Sequence, residues 1–245
     1  QRYTTKDGLP SNQIWSVFND EKGGIWLGTE NGLVHYDGTH FKTYQLTGNS
    51  DYKPADAYAT PDAIMALHLD RNGKLWIGTN GRGVFTFEPE NPAAGFQRYT
   101  TQQGLCDNTI HCIISDKAGT IWIGTREGGI SKYDGGKFTN YNVASGLSNN
   151  FIWSLCEDRF GQIWIGSAGG GAMCFNGKSF ILFNEQDGLS NNYVQSIIED
   201  KNGNIWFGTG LGITRYNGNH LMDTNPTRCK TTHEANHQHM QSCSD

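Results

Sequence analysis

The chain has 245 residues, of which 32 are glycine, while 12% are aromatic and only 18% are charged. This composition is typical of many short strands joined by tight turns and argues against long helices. The formal net charge of −5 includes no basic run, and no stretch approaches 18 consecutive apolar residues, so neither a nucleic-acid surface nor a membrane-spanning helix is expected.

Five tryptophans mark an internal repeat. Each lies in a short motif of the form I/L-W-I/L/F-G-T/S, and successive copies are 50, 46, 42 and 42 residues apart. A unit of about 42 residues with four apolar segments, here called strands a to d, fits one four-stranded blade of a β-propeller. The tryptophans are Trp26, Trp76, Trp122, Trp164 and Trp206.

Two further positions repeat with the tryptophan. The turn between strands a and b carries an aspartate followed by glycine, which is turn chemistry and not a set of catalytic acids. The third residue of strand a is always small, as expected where inner strands crowd together. The aspartates are Asp20, Asp70, Asp116, Asp158 and Asp200, and the small residues are Ser16, Ala66, Cys112, Ser154 and Ser196.

Spacing also locates the ends of the propeller and an insertion. Tyr44 lies 20 residues before Ile64, although the equivalent separation is 11 in later repeats, so an insertion is expected near residues 45–60. Residues 1–5 match an outer strand that precedes the first inner strand. We expect them to pair onto blade five and close a five-bladed propeller over residues 1–224, with part of a seven-bladed ring as the alternative.

One face of each blade varies between repeats and is the candidate ligand face. The second residue of strand a is predicted to line the mouth of the channel, where tryptophan faces with nearby polar groups would suit a sugar ring. Packing between blades is the alternative explanation for the two tryptophans. The five residues are Trp15, Met65, His111, Trp153 and Gln195.

The loops between strands b and c are expected on the same face. Their charged and amide side chains are predicted to contact the ligand, with a solvated rim as the alternative, and arginine could clamp a carboxylate or sulfate. Tyr52 and Tyr58 of the insertion are candidates for a lid, unless the insertion is a plain loop. The loop residues are Glu30, Asn31, Asn80, Arg82, Arg126 and Glu127.

Cys156 and Cys174 are predicted to be small buried residues, as Cys112 is. A local disulfide between Cys106 and Cys112 is an open alternative. Residues 225–245 form a tail outside the repeat, for which three interpretations stay open. His233-Glu-Ala-Asn-His237 matches a zinc motif, with His239 as a further metal ligand; Cys229-Lys-Thr-Thr-His233 resembles a haem-attachment motif that lacks its second cysteine; and Cys229 and Cys243 could form a disulfide. No cofactor is assigned beyond a divalent metal or haem at this tail.

The repeats DGLPSNQIWSVFNDEKGGIWLGTENGLVHYDG and DGLSNNYVQSIIEDKNGNIWFGTGLGITRYNG resemble the two-component regulator propeller repeat. The resemblance implies a periplasmic sensor domain of the kind found in hybrid histidine kinases, which responds to polysaccharide fragments, or a standalone exported protein. Together with the variable face, it predicts a periplasmic or extracellular module that binds a glycan or another small polar ligand. Because the chain begins at Gln1 without a methionine, we expect an exported protein whose signal has been removed. The alternatives are a self-assembly module or homo-oligomer, a lyase or hydrolase with its site at the channel mouth, and a propeller joined to a haem or metal tail.

Overall fold

The computed structural model describes residues 1–20, 22–46, 60 and 62–223. The chain divides into two compact units, residues 1–140 and residues 141–245. In the described residues the strands form five antiparallel sheets of four, and in every sheet neighbouring strands follow the chain order. This confirms the prediction of four-stranded propeller blades.

The first three blades are made of strands β1–β12. Their bounds are β1 (Ile14–Asn19), β2 (Ile25–Thr29), β3 (Gly32–Tyr36) and β4 (Phe41–Tyr44) in blade one; β5 (Ile64–Leu69), β6 (Leu75–Thr79), β7 (Val84–Phe87) and β8 (Phe96–Tyr99) in blade two; and β9 (Ile110–Ser115), β10 (Ile121–Thr125), β11 (Ile130–Tyr133) and β12 (Phe138–Tyr141) in blade three.

Strands β13–β20 make blades four and five. Their bounds are β13 (Ile152–Glu157), β14 (Ile163–Ser167), β15 (Ala172–Phe175) and β16 (Phe180–Phe183) in blade four, and β17 (Val194–Glu199), β18 (Ile205–Thr209), β19 (Gly212–Tyr216) and β20 (Leu221–Asp223) in blade five. The only helical segments among the described residues are 3-10 turns of three residues. No helix in these ranges has the length and apolar character needed to cross a bilayer.

A β-bulge lies at the start of every inner strand. In blade one Ile14 pairs with Thr29 and Ser16 pairs with Gly28, so Trp15 between them has no partner on β2. The same step occurs in the other four blades. Because a bulge leaves its extra residue outside the ladder and redirects its side chain, it sets the second residue of strand a apart from the strand that follows.

The small third residue of strand a has a direct packing reason. A Cβ added to Gly28 would lie 2.1 Å from the Ser16 hydroxyl and 2.5 Å from the backbone oxygen of Ile64 in blade two. Strand b therefore needs glycine at this position, and strand a needs a small residue opposite it. The Ser16 hydroxyl uses the close approach to donate to that Ile64 oxygen at 3.1 Å.

The aspartate of the a–b turn acts as predicted and also makes a second contact. In blade four, one oxygen of Asp158 accepts from the backbone amides of Phe160 and Gln162, both at 2.9 Å. The other oxygen accepts from the indole nitrogen of Trp164 at 2.9 Å. Blades two, three and five repeat the indole contact. In blade one, His35 takes the place of the indole and lies 2.6 Å from Asp20.

The connection from one blade to the next is also built in a repeating way. In four repeats a 3-10 turn ends at a glycine with positive φ, and an asparagine side chain four residues later accepts from the first backbone amide of the turn. Between the glycine and the asparagine comes a buried leucine, as in Gly104, Leu105 and Asn108. These contacts explain why the sequence Gly-Leu-x-x-Asn recurs before the inner strands of four blades.

The predicted N-terminal strand is wrong, because residues 1–4 belong to no strand. Thr4 instead begins the turn Thr5–Asp7, where its hydroxyl accepts from Lys6 and its backbone amide donates to Asp7. The outer strand of blade five is its own segment, Leu221–Asp223. Closure of the ring by residues 1–5 stays a prediction.

The described cysteines carry no disulfide. Cys106, Cys112, Cys156 and Cys174 are all free, so the alternative of a Cys106–Cys112 bridge is wrong. The interpretations of the tail at residues 225–245, with His233, His237, His239, Cys229 and Cys243, fall outside the described residues.

Candidate functional site

The predicted grouping of loops at one end of each blade is confirmed by backbone hydrogen bonds. The first residue of each b–c loop donates its amide to the carbonyl of the residue just before strand a. In unit one these bonds join Glu30 to Gln13, Asn80 to Ala63 and Arg126 to Thr109, at 3.1, 3.0 and 3.0 Å. The bulged residue of strand a and the b–c loop therefore lie at the same end of their blade.

Two of the predicted site residues meet in blade one. The indole nitrogen of Trp15 donates to a carboxylate oxygen of Glu30 at 2.8 Å, and the Trp15 side chain keeps 39% of its surface exposed. Glu30 is buried, and its second oxygen accepts from the amide of Thr60 at 2.5 Å. The carboxylate thus holds the tryptophan in place and is occupied by protein donors on both oxygens.

Arg82 is neither available on the candidate ligand face, as predicted, nor on a solvated rim, the alternative. Its side chain is buried, forms an ion pair with Asp62, and donates to the carbonyl of Leu46 at 3.5 Å. Its guanidinium also lies 5.1 Å from the ring centre of Phe85. Leu46 and Asp62 flank the insertion, so Arg82 ties the two ends of that segment to blade two. The candidate lid residues Tyr52 and Tyr58 are outside the described residues.

Other predicted residues of unit one keep accessible side chains. His111 is the bulged residue of blade three and is half-buried, as is Arg126 in the b–c loop of the same blade. Glu127 is exposed, and its backbone amide donates to Asp107 at 2.8 Å. The side chain of Asn80 donates to the carbonyl of Thr60 at 3.4 Å, which again ties the end of the insertion to blade two.

Unit two carries an aromatic surface at the equivalent end of blades four and five. Trp153 is 37% exposed, and its ring centre lies 4.9 Å from that of Phe151. Ala168, the first residue of the b–c loop, donates to the carbonyl of Phe151 at 2.9 Å and forms an isolated bridge with Tyr193. Tyr193 is 55% exposed, and Gln195 two residues later is also exposed. We call Phe151, Trp153, Tyr193 and Gln195 the aromatic surface.

The loop beside this surface has no bulky side chain. Residues 168–171 are one alanine and three glycines, and Gly169 has φ +86°. A Cβ on Gly169 would lie 3.4 Å from the Tyr193 ring, so the ring lies directly against the loop. The absence of larger side chains here leaves the aromatic rings accessible from one side.

Phe151 and Tyr193 were not among the predicted site residues. Both precede strand a, a position held in the other blades by Gln13, Ala63 and Thr109. Only blades four and five have an aromatic residue there. Variation between repeats at this position was therefore the signal that could have found them.

Three of the described thiols, those of Cys106, Cys112 and Cys156, are poor nucleophiles. Burial raises the pKa of the Cys112 thiol to about 12. Burial also raises the pKa of Cys106 and that of Cys156. Since the thiolate is the reactive form, none of these residues is activated for catalysis. In the part of the chain that the structure describes, no group of three His, Cys, Asp or Glu side chains is arranged to hold a metal ion.

Five segments of the chain match the family described as two component regulator propeller: residues 8–31, 60–81, 104–127, 146–169 and 188–210. Each segment runs from the blade connection or the start of strand a to the b–c loop of one blade. The chain belongs to this family.

Two relatives of this propeller are sensor proteins. The extracellular domain of a hybrid two component system from B. thetaiotaomicron is 29% identical, with a TM-score of 0.74 over 92% of this chain and 30% of that one. Histidine kinase P4 from Formosa agariphila is 29% identical over 85 residues, which are 33% of this chain and 6% of that protein. The propeller thus spans less than a third of either relative.

A more distant likeness shows the fold alone. Virginiamycin B lyase from Staphylococcus aureus superimposes with a TM-score of 0.65 over 83% of this chain and 66% of that chain, at 17% identity. The shared feature is the propeller architecture of four-stranded blades, which serves many unrelated functions.

Proposed function

We propose that this propeller is the ligand-sensing part of a periplasmic or extracellular receptor, and that it binds an oligosaccharide or another small polar ligand through the aromatic surface. The observation that carries the proposal is the exposed ring of Trp153, packed against the half-buried Phe151, with the exposed Tyr193 across Ala168. The extracellular sensor domain that resembles this chain supports the location and the sensing role.

The chemistry of the surface fits a sugar better than a charged ligand. A sugar ring has an apolar face of C–H groups that stacks on an aromatic ring, and hydroxyls that need a few directed hydrogen bonds. Trp153 and Tyr193 offer ring faces, and the amide of Gln195 offers a donor and an acceptor. Large exposed aromatic side chains that cluster at one place on a soluble protein are typical of binding sites.

Unit one carries a separate candidate surface at Trp15. Its indole nitrogen is already used by Glu30, so the exposed ring is what remains for a ligand. His111 and Arg126 add a titratable ring and a cation on blade three. A carboxylate or sulfate on the ligand would favour contact with Arg126.

Binding without catalysis is part of the proposal. A lyase or hydrolase needs an acid, a base or a nucleophile whose pKa is matched to its task. His111 is the only histidine at a bulge position, and the thiols of Cys106, Cys112 and Cys156 have raised pKa values. These features favour a receptor over an enzyme.

The test is a glycan-array screen of the full chain, followed by calorimetry with the strongest glycan. We expect Trp153→Ala and Tyr193→Ala each to weaken binding about tenfold, because one lost stacking contact is worth on the order of 1 kcal/mol. Trp15→Ala tests in the same assay whether unit one carries a separate binding surface.

Phe160→Ala is the matched control. Phe160 is an aromatic side chain that is 81% exposed, but it lies in the a–b turn at the opposite end of blade four. Its removal is expected to leave affinity unchanged. Unchanged binding in both Trp153→Ala and Tyr193→Ala would refute the site, and the absence of any bound glycan on the array would refute an oligosaccharide as the ligand.

A further inference from the structure

An arginine directly follows the turn aspartate in blade two and again in blade four. In blade four, Nε of Arg159 donates to a carboxylate oxygen of Glu199 at 2.6 Å. Its Nη2 donates to the backbone oxygens of Asp200 and Lys201, at 3.2 and 3.3 Å. Glu199 is the last residue of β17, the inner strand of blade five. Within unit two, the a–b turn of one blade therefore holds a guanidinium that binds a carboxylate of the next blade.

Arg71 holds the same position in blade two and keeps only part of this arrangement. Its Nη2 donates to the backbone oxygen of Asp116 at 3.3 Å. Asp116 is the equivalent of Asp200, because each directly follows the inner strand of the next blade. In the part of the chain that the structure describes, no acidic side chain forms an ion pair with Arg71.

A serine stands where the carboxylate would be. Ser115 is the last residue of β9, as Glu199 is of β17. The Ser115 hydroxyl lies 2.8 Å from Nε2 of His68, which is on β5 of blade two. Blades two and three both belong to unit one, so this comparison stays within one compact unit. The contact that Arg159 makes with the chain itself thus has no counterpart at Arg71.

The side chains around Arg71 offer hydrogen-bond donors. Its guanidinium has five N–H groups, and Asp116 accepts from Nη2 alone. Burial lowers the pKa of His68, so near neutral pH the ring is uncharged and one of its nitrogens carries a hydrogen. With that hydrogen on Nε2, the imidazole donates to Ser115 and leaves the hydroxyl hydrogen for another acceptor.

The aspartates of the two turns do not exclude an anion here. The carboxylates of Asp70 and Asp116 each accept from two backbone amides and from the tryptophan indole of their own blade. The equivalent aspartates of blades four and five make the same contacts. The carboxylate of Glu199 is nevertheless bound beside Arg159, so this arrangement of charges accommodates a further carboxylate.

The turn of blade three also leaves room for the arginine to move. A Cβ added to Gly203 in blade five would lie 2.8 Å from Cζ of Arg159, because the guanidinium covers that glycine. Gly119 is the equivalent residue of blade three, and a Cβ there would meet no atom within 4 Å. Arg71 therefore has space to take the position over Gly119 that Arg159 takes over Gly203.

We propose that Arg71 and Ser115 bind the carboxylate of a small acidic molecule, in the place that Glu199 takes beside Arg159. The ligand carboxylate accepts from the guanidinium and from the serine hydroxyl, and hydrogen bonds between charged groups are the stronger kind. The site lies at the a–b turns of blades two and three. The aromatic surface lies at the b–c loops of blades four and five, so this inference does not depend on the proposed function.

An NMR titration of the isotope-labelled full chain with acetate tests the proposal. Acetamide is the neutral control of the same shape, and sodium chloride keeps the ionic strength constant. Acetate is expected to shift the Nε–Hε signal of Arg71 and the backbone amide signal of Asp116 in a saturable way, whereas acetamide leaves them unchanged. Arg71→Gln should weaken acetate binding at least about tenfold at the Asp116 signal, because it removes the charge-assisted hydrogen bonds.

Ser115→Glu supplies the carboxylate from the chain itself. The variant copies Glu199, so we expect an ion pair with Arg71 that shifts its Nε–Hε signal without ligand and lowers acetate affinity at least about tenfold. Ser115→Ala removes one neutral donor and should lower the affinity less than Ser115→Glu does. Circular dichroism checks that each variant is folded.

Arg159→Gln is the matched control, because it removes the arginine at the same position of blade four. Its binding of acetate at the Asp116 signal should equal that of the wild type. The proposal is overturned by a wild type without a saturable shift, by an equal response to acetamide, or by wild-type affinity in a folded Arg71→Gln or Ser115→Glu variant. Loss of acetate binding in a folded Arg159→Gln variant would also overturn the assignment to Arg71.

Discussion

The indole nitrogen of Trp164 donates a hydrogen bond of 2.9 Å to the carboxylate of Asp158, six residues earlier in the chain. Both side chains are buried. The contact crosses the a–b hairpin of blade four and ties the turn to the tryptophan that packs against blade five. One carboxylate thereby satisfies two turn amides and the polar group of a core residue.

Replacement of this carboxylate should destabilise unit two strongly. Asp158→Ala leaves the indole and the two backbone amides without their acceptor in a buried setting, and we expect a loss of about 2 to 4 kcal/mol in the free energy of unfolding. Asp134→Ala is the control, since Asp134 is exposed and accepts from Lys137 at 3.3 Å. Urea unfolding followed by tryptophan fluorescence gives both values. Equal losses in the two variants would contradict this role of Asp158.

The backbone part of this motif was predictable from sequence, and the indole contact was not. An Asp followed by Gly in a short connection indicates a turn by local chemistry alone. Contact between Asp158 and Trp164 depends on the register of β13 and β14, and the amino-acid sequence alone does not determine this register. His35 in blade one shows the same limit, because it reaches Asp20 from β3, where it pairs with Trp26.

The candidate site also has some residues whose position was predictable from sequence and others whose position was not. Repeat spacing placed Trp15 and Trp153 at equivalent positions of strand a, and both are bulged and exposed in the structure. Arg82 was predicted to contact the ligand, with a solvated rim as the alternative, because it lies in the b–c loop of blade two. It is instead buried and pairs with Asp62, which follows the insertion, and the spacing of the repeats does not indicate that these two side chains are close.

Replacement of the glycine in the tryptophan motif by alanine should cost more stability in some blades than in others. Alanine at Gly28 would place its Cβ 2.5 Å from the backbone oxygen and 2.6 Å from a side-chain carbon of Ile64, so blade two must shift. We expect Gly28→Ala to cost on the order of 1 to 3 kcal/mol, as for other overpacked interiors.

Gly208 is the matched position in blade five. A Cβ there would meet the hydroxyl of Ser196 at 2.4 Å, and its next nearest neighbour lies at 3.7 Å. Rotation of the serine side chain relieves this contact, so Gly208→Ala should cost clearly less than Gly28→Ala in thermal or urea unfolding. Equal costs would show that the neighbouring blade is not the cause.

Glu30 should matter for stability as well as for the orientation of Trp15. Glu30→Ala removes the acceptor of both the Trp15 indole and the Thr60 amide, and we expect a loss of about 1 to 3 kcal/mol. Glu127→Ala, in the b–c loop of blade three, removes an exposed carboxylate and should change stability by less than about 0.5 kcal/mol. Urea unfolding compares them, and a Glu30→Ala variant as stable as Glu127→Ala would refute the anchoring role.

Acid should lower the stability of the folded protein, partly through protonation of Asp200. Hydrogen bonds, first from the indole of Trp206 and then from the side chain of Asn204, hold the pKa of Asp200 well below its ordinary value of 3.8. A carboxyl group with a lowered pKa in the folded state contributes stability above its unfolded pKa, and this contribution is lost as the pH falls toward the folded value. Urea midpoints should therefore drop between about pH 6 and about pH 3.

Trp206→Phe tests this source of the acid sensitivity. The substitution keeps an aromatic ring but removes the donor that lies 2.8 Å from Asp200, so the decrease in midpoint between the two pH values should become smaller than in the wild type. Tyr193→Phe, which removes an exposed hydroxyl on the same blade, should leave the decrease unchanged. If Trp206→Phe shows the full wild-type decrease, the acid sensitivity arises from other carboxylates, because the hydrogen bond from the indole would then contribute nothing to the difference in proton affinity between the folded and unfolded states.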